Sequence, residues 1–137
     1  MKPTTLQRYL ERLHEQFAGL DDGAVADYIP ELSKADAEWF GIAIVTIDGH
    51  VYQVGNSREE FTIQSISKAF TYGIALEDRG DEQVASRIDV EPSGEAFNSI
   101  SLEPDTGRPR NPMINAGAIV ANSLVNGDSS EEKISRI

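Results

Sequence analysis

The chain has 137 residues, of which 39% are hydrophobic, and its 12 Lys+Arg against 23 Asp+Glu give a formal net charge of −11. This length suits one domain, and the hydrophobic fraction is sufficient for a buried core, which excludes wholesale disorder. The acidic balance excludes a nucleic-acid-binding protein and a protein held on anionic membranes, since both need clustered positive charge. The absence of Cys excludes disulfides, thiolate metal sites and a cysteine nucleophile.

The sequence predicts no membrane or secretion signal. The first residues lack the apolar stretch of a signal peptide. The longest uncharged run, residues 111–127, is interrupted by a proline and two glycines and does not have the apolar length of a membrane span. We therefore predict a cytoplasmic protein.

The chain begins with a predicted amphipathic helix. Thr4 and Gln7 have the spacing of a capping box, and apolar residues then recur every three or four positions as far as Leu20. Asp21-Asp22-Gly23 is expected to end this helix. Tyr28-Ile29-Pro30 then begins an extended connection, because the residue before a proline is disfavoured in helical conformation.

A β-hairpin is predicted next. Two β-branched runs, residues 40–47 and 51–54, flank Asp48-Gly49, which favours an antiparallel pair closed by a type I′ turn. A third, brief strand is expected at Phe61-Thr62-Ile63. Two or three strands are too few for a sheet that covers several helices, so we expect the front part of a larger domain.

The second half of the chain predicts four helices and one long loop. The helices are expected at Ile66–Gly80, at about Glu82–Ile88 after an Asp81 cap, at about Asn115–Leu124, and after a capping box formed by Ser129 and Glu132. Between them, Glu91–Pro112 is rich in proline and predicts a long ordered loop. Loops of this length are usually functional or interfacial.

Ser65-Ile66-Ser67-Lys68 is the most informative tetrapeptide. Residues three apart on a helix share a face, so the Ser65 hydroxyl and the Lys68 amine can come within hydrogen-bond reach, as in SxxK acyl-transfer enzymes. Lysine accepts the serine proton only when neutral, which predicts that Lys68 is buried among apolar neighbours. The alternative is a solvated lysine beside a serine that only caps the helix. Ser67 is a poor rival nucleophile because adjacent helical residues do not face each other.

Other candidate sites are weaker. Asn115 stands near the start of a helix after two prolines, where its amide either binds a ligand carboxylate or caps the helix, and both alternatives stay open. His14 and His50 have no obvious orienting carboxylate, which disfavours a Ser-His-Asp triad. Metal-binding and nucleotide-binding motifs are absent from the sequence, so we expect neither a metal nor a nucleotide cofactor.

Four segments taken together resemble the serine-dependent glutaminases. They are Tyr28-Ile29-Pro30-Glu31-Leu32, Gln64-Ser65-Ile66-Ser67-Lys68, Glu91-Pro92-Ser93-Gly94-Glu95-Ala96-Phe97-Asn98-Ser99 and Asn111-Pro112-Met113-Ile114-Asn115-Ala116-Gly117-Ala118-Ile119. The resemblance extends from about Tyr28 to the last residue. It implies an α+β fold of the β-lactamase/transpeptidase type, with helices packed on an antiparallel sheet. Residues 1–137 would then be the amino-terminal part of the catalytic domain.

The resemblance also implies an activity, which is the hydrolysis of L-glutamine to L-glutamate and ammonia without a cofactor. Ser65 corresponds to the nucleophile and Lys68 to the base that activates it. Tyr28, Gln64 and Asn115 correspond to substrate-binding residues. The family resemblance further implies a homo-oligomer, either a dimer or a tetramer.

Two other interpretations remain open from the sequence. An SxxK serine acyltransferase on the same scaffold could act on another amide, such as a β-lactam or a peptide. A truncated, non-catalytic chain could instead act in binding or oligomerisation through an unpaired sheet edge.

Overall fold

The computed structural model describes residues 4–96 and 98–137, and the chain divides into two compact units at the Thr62–Ile63 junction. The described residues contain five α-helices and one two-stranded antiparallel sheet, which confirms the predicted α+β class. Among these helices, none has both the length and the apolar character needed to cross a membrane. Phe97, which belongs to one of the motif segments, lies outside the described residues.

The regular elements follow a simple order along the chain. They are α1 (Thr5–Phe17), β1 (Gly41–Val45), β2 (Val51–Gly55), α2 (Ser67–Arg79), α3 (Asp81–Ala85), α4 (Asn115–Leu124) and α5 (Ser130–Arg136), with short 3₁₀ helices at Leu32–Lys34 and Gln64–Ile66. The first unit therefore contains α1 and the hairpin, and the second contains four helices.

Helix α1 starts where the sequence predicts and ends earlier. The Thr4 hydroxyl accepts a hydrogen bond from the Gln7 backbone N–H at 3.2 Å, which confirms the cap. The Gln7 side chain does not complete the capping box, because it donates to the backbone carbonyl of Gln53 in β2 at 3.1 Å. The last regular helical residue is Phe17 rather than Leu20, since the Leu20 N–H bonds back only three residues to the Phe17 carbonyl.

The hairpin is confirmed, but the predicted turn type is wrong. Strands β1 and β2 pair in antiparallel register from Gly41↔Gly55 to Val45↔Val51. The Gly49 N–H bonds the Thr46 carbonyl at 2.9 Å, and only Gly49 in this loop has a positive φ, of 83°. A type I′ turn requires positive φ at both central residues, so the predicted turn does not form. Because the Thr46 N–H also bonds the His50 carbonyl at 3.0 Å, the loop between these two residues has three residues, 47–49, and ends in a left-handed glycine.

The second unit is built on the packing of α2 against α4. Its buried core is formed by small and aliphatic side chains, namely Ala75, Val84, Ile88, Ala121 and Val125. Alanines on both helices allow their backbones to approach closely. Gly80 follows α2 with a φ of 78°, as expected of a residue that ends a helix. Residues 61–63 do not form the predicted strand.

Helix α3 and the following loop agree with the sequence in outline. Asp81 is the first residue of α3 rather than its cap, and the helix ends at Ala85, three residues earlier than expected.

The loop 91–112 contains no helix or strand among its described residues. Arg108 stabilises this loop, since its guanidinium contacts Glu103 at 2.6 Å and Asp89 at 3.3 Å. The hydrogen bond from Arg108 lowers the pKa of Glu103 to about 2.

Helix α5 is attached to α2 by an ion pair. The Ser129 hydroxyl accepts from the Glu132 N–H at 3.1 Å, which confirms the predicted cap. Arg136 near the end of α5 donates to both carboxylate oxygens of Asp78 in α2, at 2.5 and 2.7 Å. The hydrogen bond from Arg136 lowers the pKa of Asp78 to about 2.

Two helical glycines predict opposite effects of alanine substitution. At Gly117 in α4 an added Cβ would lie 2.0 Å from the Asn111 carbonyl oxygen, whereas at Gly73 in α2 it would meet nothing within 4 Å. We expect Gly117→Ala to destabilise the fold by about 1–3 kcal/mol through overpacking. Gly73→Ala should stabilise it by roughly 0.5–1 kcal/mol through helix propensity. Urea unfolding followed by circular dichroism measures both, and equal effects of the two substitutions would contradict the close approach at Gly117.

Candidate active site

The sequence-predicted nucleophile lies in a tight turn rather than in the first turn of an α-helix. Ser65 is the central residue of the 3₁₀ helix Gln64–Ile66, which leads directly into α2, and its side chain is exposed. Gln64 has a φ of 44° and is the one non-glycine residue with positive φ in the described part of the chain. Backbone strain of this kind costs about 1–3 kcal/mol and is concentrated at functional sites.

Lys68 is fixed by two oxygen acceptors. Its Nζ donates to the backbone carbonyl of Met113 at 2.9 Å and to the side-chain oxygen of Asn115 at 2.7 Å. Both acceptors belong to the segment that leads into α4. The structure therefore brings Lys68 and Asn115 into contact. These two residues are 47 positions apart, and the sequence indicates each of them for a different reason.

The prediction that Lys68 is buried among apolar neighbours is wrong for the described chain, in which Lys68 is half-buried. Lys68 lies three residues before Thr71 and seven before Ala75, on the face of α2 that packs against α4. Phe70 and Ile66 lie on another face and are more than half exposed, at 57% and 52%.

The structure excludes one of the two interpretations of Asn115, that of a helix cap. Asn115 is the first residue of α4, and Ile114, at the N-cap position, makes no side-chain capping bond. The Asn115 side-chain oxygen accepts from Lys68 instead of closing the helix end. The capping alternative is thus not realised, and the amide is directed at the candidate base.

Asn111 is the residue that the sequence reasoning missed. Its side-chain oxygen accepts from the backbone N–H groups of Met113 and Ile114, at 3.0 and 3.1 Å. An Asn before a proline at the start of a helix is a recognised turn signal, because the short amide can bond the backbone two or three residues further on. Asn111-Pro112 carries that signal.

Tyr28 belongs to the first unit, where it precedes the turn at Pro30 and is 72% exposed. The predicted extended connection is short, since the Ile29 carbonyl accepts from the Leu32 N–H at 3.0 Å and a 3₁₀ helix follows. Ser65, Lys68 and Asn115 all belong to the second unit.

The histidines have structural or surface contacts. His14 Nε2 lies 3.0 Å from the Phe40 carbonyl, and the two rings stack. His50 Nδ1 lies 3.0 Å from an Asp48 carboxylate oxygen, a contact the sequence reasoning did not foresee. The His50–Asp48 pair is exposed at the hairpin end. No group of three His, Cys, Asp or Glu able to hold a metal occurs within residues 4–96 and 98–137.

Comparison with known proteins places these residues in a family context. The family model described as Glutaminase matches residues 23–137. A glutaminase from Microcystis aeruginosa is 52% identical over 96% of this chain and 39% of its own length. A glutaminase from Trichormus variabilis is 51% identical over the whole chain and 41% of its own length. The chain thus spans about two fifths of these curated relatives.

Solved structures give the same result. The probable glutaminase YbaS superposes with a TM-score of 0.91 at 41% identity, over 99% of this chain and 44% of that protein. The protein Mglu in its L-glutamate binding form superposes with a TM-score of 0.84 at 42% identity, over 98% of this chain and 31% of that protein. A family match over most of the chain, supported by sequence and fold, shows that the chain belongs to the glutaminase family.

Proposed function

We propose that the full-length product of the gene encoding this chain hydrolyses L-glutamine to L-glutamate and ammonia, with Ser65 as nucleophile and Lys68 as base. The observation that carries this proposal is the 2.7 Å hydrogen bond between Lys68 Nζ and Asn115 Oδ1. It joins the SxxK lysine to the Asn115 amide of the Asn111–Ile119 segment. The Mglu structure in its L-glutamate binding form supports the choice of substrate.

The geometry of Lys68 suits a base. Lys68 Nζ donates to Met113 O and to Asn115 Oδ1, which holds the amine beside the start of α4. Ser65 lies three residues before Lys68, so the two side chains are carried by adjacent turns of the same segment. In its neutral form the Lys68 amine carries the lone pair that accepts the Ser65 proton.

The reaction then follows in two steps. The Ser65 hydroxyl proton passes to Lys68 Nζ as the oxygen attacks the side-chain amide carbon of glutamine. The proton is delivered to the amide nitrogen, the carbon–nitrogen bond breaks, and ammonia leaves a glutamyl ester on Ser65. Water attacks the ester, Lys68 accepts its proton and returns it to the serine oxygen, and glutamate is released.

Substrate binding is assigned to Tyr28, Gln64 and Asn115. An amide such as Asn115 can donate to the carboxylate of the substrate while its oxygen holds Lys68. Gln64 immediately precedes the nucleophile and has the strained backbone that often accompanies a functional position. The Ser65 backbone N–H, near the start of a helical segment, is proposed to stabilise the oxyanion.

Other properties belong to the same proposal. We infer that catalysis needs no cofactor, because the two-step mechanism uses only side chains and water. We also propose a homo-oligomer, dimeric or tetrameric, which the family resemblance supports, and a cytoplasmic location.

The test is an assay of the full-length gene product with L-glutamine, L-asparagine and a penicillin. We expect equimolar glutamate and ammonia from glutamine, with the other two amides turned over far more slowly. Acylation of Ser65 by the penicillin without glutamine hydrolysis would favour an acyltransferase for another amide. A stable multimer with neither activity would favour the non-catalytic binding chain.

A further inference from the structure

A single side chain organises the backbone that faces Lys68. Asn111 Oδ1 accepts from the N–H groups of Met113 and Ile114, and Asn111 Nδ2 donates to the Glu91 carbonyl at 3.0 Å. Three backbone groups from two parts of the loop are thus bonded to one amide. The turn between Asn111 and α4 is fixed by this amide rather than by regular secondary structure.

Packing holds the same turn from the other side. The Asn111 carbonyl oxygen and the Pro112 Cα lie over the first turn of α4, at 2.0 and 2.8 Å from the position that a Gly117 Cβ would occupy. Pro112 and Ile114 are buried. The turn therefore has little freedom to shift along α4.

The two acceptors of Lys68 flank this fixed turn. Met113 O and Asn115 Oδ1 stand on either side of Ile114, and both bond the same Nζ. A backbone carbonyl cannot be re-aimed by a rotamer change, so its direction depends on the turn that carries it. The lysine side chain has a flexible four-carbon stem, so the position of its Nζ depends on where its hydrogen-bond acceptors lie.

We propose that Asn111 is a positioning residue for the base: through the turn it holds, it aims the Met113 carbonyl and the Asn115 amide at Lys68. This inference rests on the proposed function, since it concerns the same site. Asn111 itself is not assigned a contact with substrate. Misplacing a catalytic group by about 1 Å can reduce a rate about a hundredfold, so the effect should appear in kcat.

The kinetic test compares Asn111→Ala with Asn111→Asp in the full-length gene product. The aspartate keeps an oxygen that can accept from Met113 and Ile114, loses the donor to Glu91 and adds a negative charge. We expect Asn111→Ala to lower kcat for glutamine by roughly tenfold to a hundredfold and to change KM less. Asn111→Asp should recover a large part of kcat, a rescue that a purely structural role in the loop does not require.

Ser129→Ala is the matched control, because it also removes a side-chain oxygen that accepts a backbone N–H in the second unit, at 3.1 Å from Glu132 N. It should leave kcat unchanged. If Asn111→Ala fails to fold, Asn111→Gln replaces it, since glutamine keeps the amide and moves the acceptor by one methylene. Wild-type kcat in a folded Ala or Gln variant, or equal losses in Ala and Asp, would overturn the inference.

A second readout does not depend on turnover. Trace acetylation with acetic anhydride, followed by peptide mass spectrometry, measures the reactivity of Lys68 relative to Lys34, which is paired with Glu31 on the surface. We expect Asn111→Ala to raise the labelling of Lys68 severalfold, and Asn111→Asp to stay near the wild-type rate. Unchanged labelling overturns the inference even if glutamine is hydrolysed. Changed labelling in a protein that does not hydrolyse glutamine supports the positioning role and refutes the proposed function.

Discussion

Ser65→Ala is expected to reduce kcat for glutamine hydrolysis by at least about a thousandfold, because no acyl-enzyme can form without the hydroxyl. The substitution removes one exposed oxygen from a 3₁₀ turn whose backbone bond, Ile66 N–H to Ile63 carbonyl at 3.0 Å, does not involve the Ser65 side chain. The fold should therefore be retained. Ammonia release measured at saturating glutamine, with circular dichroism as the check on folding, gives the result.

Ser67 supplies the control for this prediction. It is the first residue of α2, two positions after Ser65, and its hydroxyl donates to the Gln64 carbonyl at 2.8 Å and so is directed back at the turn. Ser67→Ala should keep most of the activity. Comparable turnover by the Ser65 variant and the wild type, or loss of activity only in the Ser67 variant, would refute the assignment of the nucleophile.

The elements that the sequence predicted correctly have local causes. The start of α1 depends on Thr4, and the end of α2 depends on Gly80, and each signal acts within a few residues of itself. Helix α4 was placed at its observed bounds, Asn115–Leu124, because two prolines precede it and Asn126-Gly127 follows it. Such signals need no knowledge of the rest of the fold.

The errors arise where the outcome depends on partners distant in the sequence. Residues 61–63 have the composition of a strand, yet a strand needs a hydrogen-bonding partner, and the sheet in the described residues contains only β1 and β2. The hairpin turn was misassigned for a subtler reason. Asp48-Gly49 is compatible with both loop lengths, and the register of Val45↔Val51 decides between them.

The sequence predicts the individual residues of the candidate site but not the contacts between them. Spacing pointed to Ser65 and Lys68, and the position of Asn115 near a helix start after two prolines pointed to its amide. Contact between Lys68 and Asn115 depends on how α2 packs against α4, which no local pattern encodes. The three hydrogen bonds between the Asn111 side chain and the backbone depend in addition on how the loop folds around this amide.

Substitution of Lys68 tests whether this amine transfers a proton or only holds the turn. Lys68→Ala removes both functions and should lower kcat by at least about a thousandfold. Lys68→Arg separates them, because a guanidinium can still donate to Met113 O and Asn115 Oδ1 but does not give up its proton in a protein.

We therefore expect Lys68→Arg to be about as stable as the wild type in urea unfolding and yet to lose nearly as much kcat as Lys68→Ala. An arginine variant with more than about a tenth of wild-type kcat would show that positive charge, rather than proton transfer, is what the site requires. In that case Lys68 would act by anchoring the Met113–Asn115 turn, and the base would have to be another group that contacts Ser65.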